Sequence, residues 1–101
     1  MSSNDLAIEI VKDYIYEFSD HIYTPWQKKE FQYETYSIWA AKELLVELSK
    51  NKNLPPLFVL ERFRDKMDDY AYLNKKNSFI FSVAKDTAEY LIDQLITCNF
   101  K

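Results

Sequence analysis

The chain has 101 residues and a net charge of -3, contains no glycine, and is 17% aromatic. This length fits a single domain over residues 1–101. Glycine supplies the positive φ that hairpins, bulges and phosphate-binding loops require, so its absence excludes glycine-rich nucleotide sites and favours an all-α fold. The basic pairs Lys28-Lys29 and Lys75-Lys76 are short and scattered, which argues against direct binding to nucleic acid.

The cysteine content and the N-terminal residues predict a cytoplasmic protein. Cys98 is the single cysteine, so no intramolecular disulfide forms, and this fits a reducing compartment. Asp5, Glu9 and Asp13 interrupt the apolar residues near the N-terminus, so no signal peptide is predicted. No stretch approaches the roughly 18 uncharged apolar residues of a membrane span. The abundance of Lys, Asn, Ile, Tyr and Phe is typical of an AT-rich genome, such as that of a low-GC bacterium or phage.

The first predicted helix covers residues 4–22. Its apolar residues recur at spacings of three and four and form one stripe. The stripe consists of Ala7, Ile10, Val11, Tyr14, Ile15, Phe18 and Ile22. Either Ser3 or Asn4 supplies the predicted N-cap, because both side chains accept hydrogen bonds from free backbone amides.

The second predicted helix covers residues 25–50, is unusually long, and lies at the centre of the fold. Thr24-Pro25-Trp26-Gln27 has the residue types and spacing of a capping box with proline at the first helical position. The predicted inward stripe is Phe31, Ile38, Ala41, Leu45 and Leu48. Trp26, Trp39, Leu44 and Val46 widen the apolar arc. An arc this wide indicates several neighbouring helices, or a contact with another protein.

Two further helices are predicted over residues 56–73 and 78–97. Pro55-Pro56 marks the start of the third helix, since proline is tolerated only at a helix start, and Ser78 is the predicted N-cap of the fourth. The third helix turns Leu60, Phe63, Met67, Tyr70 and Ala71 inward. The fourth has the most regular stripe, formed by Ile80, Val83, Ala84, Thr87, Ala88, Leu91 and Leu95.

Four amphipathic helices with short connectors predict an antiparallel four-helix bundle. The connection between the first two helices is very short. A steep corner at this point would instead give an irregular, orthogonal array of the same four helices.

The sequence offers little for catalysis or for metal binding. His21 and Cys98 are the single histidine and cysteine, and Cys98 aligns with the inward stripe of the fourth helix, which predicts a small buried hydrophobe. Asp13, Glu17 and His21 share one face of the first helix and would suit a divalent metal ion. A solvated helix flank explains them more simply. We therefore expect a protein that is not an enzyme and holds no metal or cofactor.

The candidate binding residues are acidic and aromatic side chains on predicted polar faces. On the third helix they share one arc opposite the inward stripe, namely Phe58, Glu61, Asp65, Asp68, Asp69 and Tyr72. On the second helix Tyr36 and Trp39 lie off the predicted stripe. Such a surface would dock on a basic partner, because aromatic anchors and complementary charge are typical of protein interfaces. A solvated polar face and rings wrapped around a small core are the alternative explanation.

Three functional hypotheses follow from these observations. The first is a small cytoplasmic protein-interaction module, such as an adaptor, an inhibitor, or an immunity or antitoxin protein, that binds a basic protein partner through the acidic and aromatic surface. The second is a structural protein that forms a homodimer through the apolar arc of the second helix. The third is a small metal-binding protein that uses Asp13, Glu17 and His21.

Overall fold

The structure, a computed structural model, describes residues 3–19 and 28–99. These residues form four α-helices, α1 (Ser3–Ser19), α2 (Lys28–Lys50), α3 (Pro56–Leu73) and α4 (Ser78–Asn99), with a 3-10 turn at Lys75–Asn77. The predicted all-α, four-helix fold is confirmed. The capping box at residues 24–27 and the predicted end of the first helix at residues 20–22 lie outside the described residues.

Successive helices run in opposite directions. The Asn4 side-chain amide at the start of α1 donates a hydrogen bond of 2.6 Å to the backbone oxygen of Lys52, just past the end of α2. Glu47 near the end of α2 pairs with Arg62 near the start of α3. The short connector at residues 74–77 then returns the chain along α3, and α3 and α4 pack extensively against each other. These contacts bring the start of α1 to the end of α2 and the end of α2 to the start of α3.

Two helix pairs build the core. α1 packs mainly against α2, and α3 mainly against α4, while contacts between α2 and α4 join the two pairs. The largest completely buried side chains come from all four helices, namely Val11, Leu44, Leu48, Val59, Leu60, Val83, Leu91 and Leu95. Burying each leucine contributes roughly 1.5–3 kcal/mol relative to leaving it in water, so these residues dominate the stability of the fold.

The prediction that α2 is unusually long is wrong. Within the described residues α2 has 23 residues and α4 has 22. α2 and α4 also share the centre of the fold, because the contacts between them join the two helix pairs. The wide apolar arc of α2 therefore does not make it the single central helix.

The inward face of α2 differs from the predicted stripe. Ala41 and Leu48 are buried as predicted, but Phe31 is exposed, and Ser37 and Ala40 are buried instead. Apolar residues surround much of α2, so periodicity alone does not fix which arc faces the core. The small residues face inward, since they allow neighbouring helices to approach closely.

The starts of α3 and α4 follow different rules. α3 begins at Pro56 with Pro55 as its N-cap residue, which confirms the predicted start. Ser78 is not an N-cap. It has helical φ and ψ of -58° and -33°, and its hydroxyl lies 3.3 Å from the backbone oxygen of Lys75, to which it donates. The 3-10 turn leads directly into α4, so no capping serine is needed there.

The prediction that Cys98 is buried is also wrong, because the thiol is exposed. Leu91, Ile92 and Leu95 are the last buried residues of α4, and the next turn projects beyond the core. Cys98 has the spacing of the buried residues of α4, but it lies one turn past the last residue that the core buries.

None of the helices in the described part of the chain is long and apolar enough to cross a membrane. α4 has the highest mean hydropathy of the four, yet it carries Lys85, Asp86, Glu89 and Asp93. Charged residues at this density are costly in the hydrocarbon core of a bilayer.

Candidate functional site

A groove lies between α2 and α3, within the described residues. Its volume is about 440 Å³. The groove exists because α2 and α3 contact each other far less than either contacts its main neighbour. Its floor is apolar and consists of Val59, Phe63 and Met67 from α3 and Phe81 from α4.

Each rim of the groove is a row of side chains spaced four residues apart on one helix. The rows are Trp39, Glu43 and Glu47 on α2, and Arg62, Lys66 and Tyr70 on α3. Residues at this spacing lie above one another on the same helix face. Eight residues of helix rise about 12 Å, so each rim is long enough to accompany roughly two turns of a bound helix.

An ion pair closes one end of the groove. Arg62 Nη2 lies 3.9 Å from Glu47 Oε2, on the opposite rim. The Arg62 guanidinium also lies 5.5 Å from the centre of the Phe58 ring. Arg62 is thus held by a carboxylate on one side and an aromatic face on the other.

Aromatic contacts shape the other end of the groove. Tyr70 and Phe81 meet edge to face, with ring centres 5.3 Å apart. The Lys66 ammonium lies 5.7 Å from the centre of the Tyr70 ring. Glu43 stands on the opposite rim and has no cationic partner among the residues that the structure describes. The groove therefore offers exposed rings, the Glu43 carboxylate, and the Lys66 ammonium, which contacts the Tyr70 ring and has no carboxylate partner among the described residues.

A second surface, here called the acidic face, covers the outer side of α3. It consists of Phe58, Glu61, Asp65, Asp68, Asp69 and Tyr72, the residues predicted from the sequence. The Tyr72 side chain is 84% exposed and that of Phe58 is 50% exposed. The outward arc of α3 was thus predicted correctly, and both rings lie on the surface. The prediction that Tyr70 faces inward is wrong, because Tyr70 is exposed on the rim of the groove.

Neighbouring cations neutralise half of the acidic face. Asp65 Oδ1 accepts a hydrogen bond of 3.2 Å from Arg64 Nε. Asp68 Oδ1 lies 3.2 Å from Lys85 Nζ on α4, and this hydrogen bond raises the pKa of the Lys85 ammonium. No such cation accompanies Glu61 or Asp69 within the described ranges.

The structure does not join all the predicted binding residues into one patch. Trp39 lies on the rim of the groove. Phe58 does not line the groove, but its ring contacts the guanidinium of Arg62 on the opposite rim. The half-buried Tyr36 ring packs edge to face on Phe79, with ring centres 5.8 Å apart. At 3.6 residues per turn, the acidic face and the groove lie about 110° apart around α3. They are two surfaces that share one helix.

Sequence reasoning missed most of the groove. Glu43, Glu47, Arg62 and Lys66 were absent from the predicted site, although their spacing of four residues was visible in the sequence. That spacing is common on solvated helix faces. It marks a groove only when the two helices that carry it pack loosely, and the sequence does not show how closely α2 and α3 approach.

The predicted metal ligands lie partly outside the described residues. Asp13 and Glu17 border a small pocket between α1 and α4, which also contacts Gln94 and Cys98. The described residues contain no group of three metal-binding side chains. His21 lies outside the described ranges, so the metal hypothesis remains a prediction.

Comparisons with protein-family models, with curated proteins and with solved structures give no match for this chain. The proposals below accordingly rest on the residues and their geometry.

Proposed function

We propose that this protein is a protein-interaction module that binds an amphipathic helical segment of another protein in the groove between α2 and α3. The observation that carries the proposal is the groove itself, whose floor is lined by apolar side chains and whose rims carry the partly exposed rings of Trp39 and Tyr70. Grooves between helices commonly receive an amphipathic helix, whose apolar residues insert at spacings of three and four.

The charges of the rims define the chemistry of the partner. Glu47 and Arg62 already pair with each other, and Lys66 lies over the Tyr70 ring. Glu43 is left as the carboxylate that a ligand would complement. We therefore expect the bound segment to place a lysine or arginine against Glu43, next to apolar residues that fill the floor. This agrees with the basic partner predicted from the sequence.

The proposal covers an adaptor, an inhibitor, or an immunity or antitoxin protein, since each works by binding. We place this interaction in the cytoplasm, because an exposed free thiol such as Cys98 suits a reducing compartment. The acidic face is the second candidate surface. Its support is the high exposure of Tyr72 together with the unneutralised Glu61 and Asp69.

Site-specific photo-crosslinking in the native cells separates the two surfaces. A photoreactive phenylalanine replaces Tyr70 in the groove in one variant, and Tyr72 on the acidic face in another. These positions are two residues apart on α3, so expression and labelling are closely matched. We expect position 70 to capture a protein whose crosslinked segment is amphipathic and contains a lysine or arginine.

Two further variants give this experiment its specificity. Trp39→Ala and Glu43→Lys, each introduced beside the label at position 70, should reduce capture at least fivefold while circular dichroism shows a folded chain. Capture at position 72 alone, abolished by the double variant Asp65→Lys and Asp69→Lys, would contradict the groove and favour the acidic face. Crosslinks between two copies of this chain would instead support the homodimer hypothesis. No crosslinked product at either position would reject an interaction at both surfaces.

A further inference from the structure

A second pocket, separate from the groove, lies where α1, α2 and α4 meet. Its volume is about 240 Å³. Pockets for drug-sized ligands usually measure about 300–1,000 Å³, so this one suits a smaller chemical group. Its lining residues and those of the groove are entirely different sets.

Four aromatic rings surround this pocket. They are Tyr14 and Phe18 from α1, Tyr33 from α2 and Tyr90 from α4. The centre of the Tyr14 ring lies 4.6 Å from that of Phe18 and 5.5 Å from that of Tyr90. Tyr14 is buried at the bottom, whereas Tyr33 and Tyr90 are partly exposed at the mouth. Rings arranged in this way attract cations through their electron-rich faces.

Two carboxylates complete the lining, Glu34 from α2 and Asp86 from α4. The negative charges of both carboxylates raise the pKa of a neighbouring tyrosine. Burial raises the pKa of Tyr33, and the negative charge of Asp86 raises it further. Burial likewise raises the pKa of Tyr14, with a smaller contribution from Glu34. None of the described lining residues is basic, so the pocket combines aromatic faces with negative charge.

A buried hydroxyl at the bottom of the pocket still needs a hydrogen-bond partner. Ser37 is 1% exposed, and its Oγ makes no hydrogen bond with the described residues. It lies near enough to Tyr14 to lower the pKa of that phenol, but short of hydrogen-bond geometry. The adjacent Thr87 hydroxyl already donates to the backbone oxygen of Val83, at 2.9 Å. A buried hydroxyl without a partner costs about 1–3 kcal/mol, so a ligand that donates to Ser37 would remove that cost.

From this geometry we infer that the pocket binds a primary alkylammonium group, held by the rings of Tyr33 and Tyr90, the carboxylate of Asp86, and the Ser37 hydroxyl. A primary ammonium carries three N–H donors, and one of them satisfies Ser37. A quaternary ammonium would contact the same rings but has no donor for Ser37. With the ammonium against Ser37 at the bottom, the alkyl chain points out of the mouth past Tyr33 and Tyr90.

A lysine side chain of a partner protein and a free aliphatic amine carry the same headgroup. The alkyl chain leads out of the pocket at its mouth, where Tyr33 and Tyr90 are partly exposed, so the geometry accommodates either source. The test therefore uses one probe for each source, together with probes that lack the charge or the N–H donors.

The experiment is a titration of the ¹⁵N-labelled full chain, followed by amide chemical shifts. The probes are n-butylammonium, 1-butanol, tetramethylammonium and N-acetyl-lysine methylamide. We expect n-butylammonium to give saturable shifts around Tyr33, Ser37 and Tyr90, with a dissociation constant of roughly 1 mM, as is ordinary for so small a ligand. We expect tetramethylammonium to bind several-fold more weakly and 1-butanol to give no saturation. Tighter binding of the lysine derivative than of butylammonium identifies a lysine side chain as the ligand, and the reverse order identifies a free amine.

Variants connect the shifts to individual groups. Asp86→Asn and Tyr33→Leu, both at exposed positions, should each weaken butylammonium binding about fivefold. Ser37→Ala should remove the preference for butylammonium over tetramethylammonium. Tyr16→Leu, which changes an exposed tyrosine of α1 outside the pocket, should leave the affinity unchanged. Equal responses to butylammonium and 1-butanol, or shifts confined to the groove, would overturn the proposal.

Discussion

α2 meets α4 and α3, two of its three neighbours, in different ways. In the common core it buries Ala40 and Ala41, and α4, which packs against it, contributes the equally buried Ala84 and Ala88. Towards α3 it carries Trp39 and the long side chains that form one rim of the groove. One face of the helix is therefore closed by small residues, and the other is left open by large ones.

The physical reason lies in the length of the side chains. Alanines let two helix backbones approach to the short end of the usual 8–10 Å separation, and they leave no space for a ligand. Glutamate, arginine and lysine side chains extend towards water, with their aliphatic stems along apolar surface. Where such rows face each other, as Glu47 faces Arg62, the helices stay apart and the floor between them stays open.

The closed face should account for most of the stability. Leu44 on α2 is completely buried, so Leu44→Ala should lower the free energy of unfolding by about 3 kcal/mol, within the 2–5 kcal/mol typical of such cavities. Val46 on the same helix is 45% exposed, so Val46→Ala is the control and should cost under about 1 kcal/mol. Urea denaturation of both variants measures the difference. Similar losses for the two variants would show that α2 has no closed face.

The contact between α2 and α4 should tolerate no additional volume. Ala88 has no exposed surface, so Ala88→Leu forces side chains into a packed core and should cost about 2 kcal/mol, within the usual 1–3 kcal/mol. Ser82→Leu places the same side chain at an exposed position of α4 and serves as the control. The melting temperatures of the two variants compare them directly. If Ala88→Leu melted at the wild-type temperature, the two helices could not be closely packed there.

The closed face was easier to predict than the open one. On α4, apolar residues recur at helical spacing while acidic residues occupy the opposite side, so Val83, Ala84 and Leu91 were assigned inward correctly. On α2, apolar residues occur on every side, and Phe31 was assigned inward although it is exposed. The spacing of apolar residues shows which side of a helix faces the core only where polar residues occupy the opposite side.

The groove was not predictable from the sequence for a different reason. The acidic face depends on one helix, so the exposed Tyr72 and Asp69 followed from the phase of α3 alone. The groove depends on the distance between α2 and α3, which is set by the packing of both helices against α4. The pocket around Tyr14 likewise combines three helices, and the burial of Ser37 depended on the inward face of α2 that the sequence left undetermined.

The pocket around Tyr14 should make the free energy of unfolding fall at alkaline pH. Burial raises the pKa of Tyr14 above the ordinary value of 10.0, and the nearby hydroxyls of Ser37 and Thr87 offset this only in part. A raised folded-state pKa means that the stabilisation is complete below pH 10.0 and is lost as the pH rises through the folded-state pKa. Tyr14→Phe removes this dependence. It should cost about 1 kcal/mol at pH 7 through the lost hydroxyl.

The measurement for Tyr14→Phe is urea denaturation from pH 7 to pH 11. The stability difference between wild type and variant should narrow as the pH rises above 10, because only the wild type loses the Tyr14 contribution there. A difference that stays constant or widens over this range would contradict the raised pKa of Tyr14.

The open face should contribute least to stability, and the ion pair across the groove tests this most directly. Glu47 and Arg62 lie 3.9 Å apart with side chains 37% and 48% exposed, so solvent screens their attraction. Glu47→Gln should change the free energy of unfolding by less than about 0.5 kcal/mol, as for other exposed pairs. Glu43→Gln on the same rim is the matched control without an ion pair. A loss of stability in Glu47→Gln as large as that in Leu44→Ala would mean that this ion pair holds α2 and α3 together, and the groove would then be a structural joint instead of a binding surface.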